Sequence, residues 1–308
     1  IVSDLDRDAI LAVSLSTGAR TYISGSGVRG SGPSLSSPRG IDWLDPNNIL
    51  VSNRAGGASG IYRVDLTDGD RIRVTTRRTG SGDANENPVD VVTTNGGVTG
   101  VYLDDSLDQL VEFNVLSGAR TLLTGENRGT GQPLDVFSSD DLELDRSTGE
   151  LLFSNRAFAS VVSVLPATGD RSIFYRAAIG TGPVIESPEF SVLDAERDRI
   201  LGSDQRASSI FAVSTTDGDR TIFSDAGANS SGSPFEFPRR IAIDSTRNQL
   251  LAEYRTGILY WLPLTGPSQD PVPFSFNDGS SGPTFTADLG DMVVSPDGTT
   301  LWVVDQST

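Results

Sequence analysis

The side chains of this chain that recur where chemistry could be done are oxygens and guanidinium groups. Asp4, Asn53, Asp104, Asn155, Asp204 and Asp305 each end an apolar run. A ring of carboxylates and amides suits a hard cation, because Ca2+ prefers several oxygen ligands. The same side chains can instead bond their own loop backbone in Asx turns. Repetition favours the turns, since one binding site does not need six equivalent residues. An arginine follows closely at Arg54, Arg156, Arg206 and Arg255. Beside Asp or Asn it could grip a carboxylate or a sulfated sugar, or bridge to an acid of the neighbouring repeat. The candidate binding set is therefore Asn53, Arg54, Asp104, Asn155, Arg156, Asp204 and Arg206.

Other chemistries are closed. The chain has no His, no Cys and no Lys, so all 24 of its basic residues are arginine. That removes the Ser-His-Asp triad, the thiol nucleophile, the Schiff base and His- or thiolate-ligated zinc. Catalytic residues are accordingly assigned to none. What remains is carboxylate chemistry and a possible Ca2+ site, with no other cofactor expected. The Asp-rich segments Asp145–Gly149, Asp194–Asp198 and Pro296–Thr299 lack the full spacing of a calcium loop and read as turns.

Forty-one acids against 24 bases give a net charge of −17. A field that negative repels nucleic acid, so no nucleic-acid partner is expected. No stretch approaches the roughly 18 apolar residues of a membrane span. The sequence opens on Ile1-Val2-Ser3-Asp4 and reads as a trimmed product, which makes a secreted, periplasmic or cell-surface location the expectation.

The elements that must position these residues repeat. Thr17-Gly18-Ala19-Arg20, Asp68-Gly69-Asp70-Arg71, Ser117-Gly118-Ala119-Arg120, Thr168-Gly169-Asp170-Arg171 and Asp217-Gly218-Asp219-Arg220 are one turn written five times, with Thr265-Gly266 a weaker copy. Positions 38, 88, 138, 188, 238 and 288 each precede an apolar run, 50 residues apart. Within one unit, Gly40–Leu44 reads as strand A, Ile49–Ser52 as B, Gly60–Asp65 as C and Arg71–Thr75 as D. Period-2 alternation marks half-buried strands, and no long helical pattern interrupts them. Four short strands per unit and six units predict an all-β, six-bladed β-propeller over residues 1–308. The Gly/Ser tracts then fall between strand D of one blade and strand A of the next. The turn arginines open the outermost strand and read as solvated charges that discourage edge pairing.

Pro38-Arg39-Gly40-Ile41-Asp42 followed by Ile49–Asn53, and Pro238–Asp244 followed by Leu250-Leu251-Ala252, resemble the six-bladed TolB-like, NHL and YWTD propellers. That resemblance implies the fold and leaves function open, because the architecture hosts binding, scaffold and enzyme roles. A regular phase favours a non-enzymatic extracellular scaffold or interaction module, with a protein partner or self-association through terminal strands. The resemblance also admits a calcium-dependent lactonase or esterase-like hydrolase with one channel metal, although the early Glu-Gly-Pro strand and the Pro-x-Asn-Gly segment of those enzymes are missing. A carbohydrate-binding propeller is the third alternative. Strand B can be counted seven times, because Ile1–Asp4 and Leu301–Asp305 both fit it. The C-terminal segment is the better occupant, closing the ring with Leu289–Ser295, Ala9–Ser14 and Arg20–Ser24, and it leaves Ile1–Asp4 free to lie on the blade or to join another subunit.

Overall fold

The computed structural model describes residues 8–54, 59–83, 86–132, 139–175, 179–225, 237–254, 257–266, 270–285 and 289–305. Among them are six antiparallel sheets of four strands, arranged as a propeller. Blade 1 runs Pro38–Asp45, Asn48–Asn53, Gly60–Asp65 and Arg71–Thr76, in the order A-B-C-D from the axis outward. Blades 2 to 5 repeat it. Blade 6 takes Leu289–Val294 as A, Thr300–Asp305 as B, Ala9–Ser14 as C and Arg20–Gly25 as D. The ring is thus closed by both termini, with the Trp302 segment as strand B. Ile1–Asp4 lies outside the described residues. The only helical pieces among them are two single 3-10 turns, Asn95–Gly97 and Ala195–Arg197.

Side-chain alternation builds the core, but not as half-buried strands. In blade 6, Leu11, Val13, Leu301 and Val303 face blade 5, while Ile10, Trp302 and Val304 face blade 1. Successive residues of one strand therefore enter two different cores. The hydrophobic interior is six separate seams, one between each pair of neighbouring blades.

The turn arginines overturn the expectation of solvated edge charges. Arg20, Arg71, Arg120 and Arg220 are buried at the outermost strand. The long loop leaving the preceding blade passes over each of them and takes their hydrogen bonds. Arg71 donates from Nε to the Pro33 carbonyl at 2.7 Å and from Nη1 to Ser24 Oγ at 2.8 Å. Ser24 Oγ in turn donates to the Gly69 carbonyl at 2.7 Å. Thr124, Gly169 and Arg171 repeat the triangle, as do Ser275, Gly18 and Arg20. The hairpin glycine is required twice over. Gly69 has φ +85°, and a Cβ there would stand 2.1 Å from the Ile23 carbonyl oxygen of the preceding blade.

Strand A of blade 3 departs from the repeat. Only Glu143–Leu144 pairs with strand B, whereas the other inner strands run from six to eight residues. Before it, the Asp141 carboxylate accepts the Ser154 N–H at 2.9 Å, so a side chain completes the inner edge of the sheet there.

Arg120→Ala should cost about 2–4 kcal/mol, because it leaves buried carbonyls of the preceding loop without donors. Arg120→Lys should recover less than half, since one ammonium cannot span the carbonyls that the fork reaches. Urea unfolding of the two variants against the parent checks both values.

Candidate functional site

The loops at strand-B ends and the D–A loops share one face, and the sequence-derived binding set lies there. Its Asp and Asn members hold backbone. Asn53 Oδ1 accepts the Ser36 N–H at 2.6 Å, and Asn155 Oδ1 accepts the Phe158 N–H at 3.1 Å. Asp104 accepts from Glu86 N at 2.7 Å and Ser106 N at 3.2 Å. Asp204 accepts from Glu186 N at 2.6 Å and Ala207 N at 3.0 Å. Each carboxylate or amide ties the start of its own B–C loop, or the loop entering its strand A. These four residues are therefore spread around the ring, one per blade.

The arginines of that set do converge in part. Arg156 reaches Asp140 at 2.8 Å and Glu189 at 2.9 Å. Arg39 meets the other oxygen of Asp140 at 3.2 Å, and Arg54 pairs with Asp105 at 2.7 Å. Arg206 stays at the rim on Glu186 at 3.0 Å, with most of its side chain exposed. Arg255 lies outside the described residues. Asp140 is the hub. Burial alone would raise its pKa, yet Arg240, Arg156, Arg39 and Arg54 together hold it below the ordinary carboxylate value. The buried Arg240 guanidinium stacks on Phe190, 3.8 Å from the ring centre, and donates from Nε to the Leu289 carbonyl at 2.8 Å.

Below this mouth, strand A places Asp42, Asp90, Asp141, Glu143 and Asp291 around an axial cavity of about 220 Å3. Sequence reasoning passed over them as a site. Their signal is an acid inside an otherwise apolar inner strand, as in Ile41-Asp42-Trp43 and Val89-Asp90-Val91. Four of them stitch blade to blade. Asp291 accepts the Ile41 N–H at 3.2 Å, Asp42 the Thr93 N–H at 2.6 Å, Asp90 the Leu142 N–H at 2.5 Å and Asp141 the Ser191 N–H at 2.8 Å. Each acceptor belongs to one blade and each donor to the next, from blade 6 through blade 4. Gly40 makes room for this, since a Cβ there would meet Asp90 Oδ1 at 1.9 Å.

Burial dominates the electrostatics of the ring. It raises Asp141 to about 6 and Asp291 to about 7. Asp90 is pushed well above its ordinary value by burial and by the Asp291 charge. Glu143 rises to about 8 through burial and the neighbouring Asp42 charge. Its carboxyl makes no hydrogen bond to a described residue, and the residue stands half-buried in the channel wall. The Asp oxygens of the channel already take backbone N–H groups, and among the described residues no three carboxylates converge closely enough to hold a metal. No helix of the described residues is long and apolar enough to cross a membrane.

No family model and no curated protein matches this chain. Solved structures do match in fold. Nidogen, in a structure described as the nidogen/laminin complex, is 12% identical, with a TM-score of 0.60 over 89% of this chain and 95% of that one. A Bacteroides thetaiotaomicron protein of unknown function is 13% identical, with a TM-score of 0.61 over 97% of this chain and 76% of that one. Virginiamycin B lyase from Staphylococcus aureus is 11% identical, with a TM-score of 0.57 over 88% of this chain and 95% of that one. The likeness to six-bladed TolB-like, NHL and YWTD propellers is one of fold. It takes in a protein of a nidogen/laminin complex and a virginiamycin B lyase alike.

Acids whose folded pKa is raised stabilise the protein most when both states are protonated, below about pH 4, and lose that contribution as pH climbs through the folded value. For Asp141, Asp291 and Glu143 the loss runs up through about 6, 7 and 8. Asp140, held low, works in the opposite sense and loses its contribution as pH falls through its folded value. Thermal melts from pH 4 to 9 should therefore show stability falling across the neutral range, and Glu143→Gln should flatten the upper part of that fall. A melting temperature that rises from pH 5 to 8 contradicts this.

Proposed function

We propose that this protein is a non-enzymatic interaction module working outside the cell, and that a protein partner docks on the loop face of blades 3 to 5. The observation that carries the reading is a set of exposed apolar side chains on that face. Phe158 in the B–C loop of blade 3 is 55% exposed, Val184 in the following D–A loop 65% and Phe237 at the start of blade 5 38%. Arg206 and Glu186 stand among them as a polar rim. Aromatic and aliphatic anchors ringed by charge are the usual make-up of a protein-binding surface. The nidogen propeller, known in complex with laminin, lends the same reading support at the level of fold. The commitment of the channel carboxylates to holding blades together also favours a scaffold.

A second reading is favoured by Glu143. A carboxyl with no hydrogen bond to a described residue, facing a cavity and raised to about 8, is suited to proton transfer near neutral pH. It would make the channel the site of a lyase or hydrolase.

The two readings separate in one set of variants. Phe158→Ser/Val184→Ser/Phe237→Ser should keep the parent melting temperature and lose the partner that the parent protein retains from the medium of its native cells. Glu143→Gln should retain that partner. Partner binding unaffected by the triple substitution defeats the docking face. Turnover of a lactone, ester or lyase substrate that Glu143→Gln abolishes establishes the second reading instead.

A further inference from the structure

We propose that a cleft between blades 2 and 3, opening on the face opposite the long loops, binds a small amphipathic carboxylate. The cleft encloses about 470 Å3, roughly twice the axial cavity, and falls within the size range of small-molecule sites. It adjoins the irregular inner strand of blade 3. The paired inner strand of blade 3 is only Glu143–Leu144.

The chemistry of the walls selects the ligand. Val101 and Leu123 from blade 2 and Leu144 and Leu151 from blade 3 give an apolar floor, and Glu112 is the one acid among the lining residues. Arg146 stands where the cleft meets the channel and lines both cavities. Its side chain is 67% exposed, and its nearest acid, Asp42, is 3.9 Å away. It makes no hydrogen bond to a described residue. This contrasts with the rim arginines Arg71 and Arg120, whose donors are taken up by carbonyls and hydroxyls of the preceding blade and its loop. An open guanidinium fork above a leucine floor is built for a carboxylate carried on an apolar body, since the fork takes both oxygens at once. The ring of acids in the channel repels the same anion, so it is held at the cleft and does not pass along the axis.

The cleft and the docking face lie on opposite sides of the propeller and fail or hold separately. Titration calorimetry with 4-phenylbutanoate as the probe tests the proposal, with 4-phenylbutanamide as its uncharged counterpart. The parent protein should bind the acid saturably. Arg146→Gln should weaken the acid about tenfold or more and leave the amide unchanged. Thr99→Phe, which fills the cleft wall from a partly exposed position, should remove both. Melting temperatures near the parent value in both variants establish that the change is local. No saturable binding of the acid overturns the proposal, as does binding that Arg146→Gln leaves intact or that the amide matches.

Discussion

Everything in this molecule depends on bonding between blades. A propeller blade is stable only against its neighbours, and here 36% of the residues are hydrophobic and no cysteine is available to cross-link them. Six apolar seams do part of the joining. Buried polar groups do the rest, at two radii. On the rim, the arginine at the start of strand D in five of the six blades clamps the loop of the blade before it. At the axis, at four of the six joints, a carboxylate from strand A or the residues just before it receives a backbone N–H of the blade after it. Each link crosses one seam, and every blade is held at both of its seams by its neighbours, so the ring should unfold as a unit rather than blade by blade.

The two radii use opposite charge for a geometric reason. On the rim the neighbour offers carbonyl oxygens, because a loop crosses over the strand, and a planar guanidinium with five donors can satisfy several of them. Near the axis strand A is the inner edge of each sheet, so N–H groups such as those of Ile41, Thr93 and Ser191 have no further strand to bond. A short carboxylate fits that space. Crowding several acids around one axis raises their pKa values, and protonation relieves the repulsion. The acidic composition is therefore not only a surface property, since part of it forms the inner wall.

The period, the six blades, the four strands and the closing role of Leu301–Asp305 were legible in the sequence, because turn glycines and apolar runs recur at a fixed spacing. The polar ends of strand B were legible as turn formers for the same reason. The clamp was not. In isolation, strand D is an edge, and Arg71 or Arg120 on an edge reads as solvated; only the path of the preceding loop buries it. The channel ring was also missed, since Asp42, Asp90, Asp141 and Asp291 do not share one position in the repeat. Asp90 stands two residues after Pro88, and Asp42 stands four after Pro38. A feature that serves one joint at a time leaves no periodic trace.

That distinction locates where function can reside. Features repeated in every blade are explained by the ring itself, and a ring of equivalent blades has no preferred side. Blade 3 supplies one. Its run Ser139-Asp140-Asp141 replaces backbone pairing by side-chain pairing, with Asp141 holding strand B and Asp140 turned to the arginines of the mouth. The same break brings Glu143 into the channel wall and leaves Arg146 open at the other end. One irregular inner strand thus gives the mouth its anionic hub, the channel its one acid without a described hydrogen bond, and the opposite face its cleft. The regular phase of the sequence argued for an inert scaffold, yet the asymmetry that a binding protein needs is present. It is confined to a single strand, where a shift of pairing leaves the 50-residue spacing undisturbed.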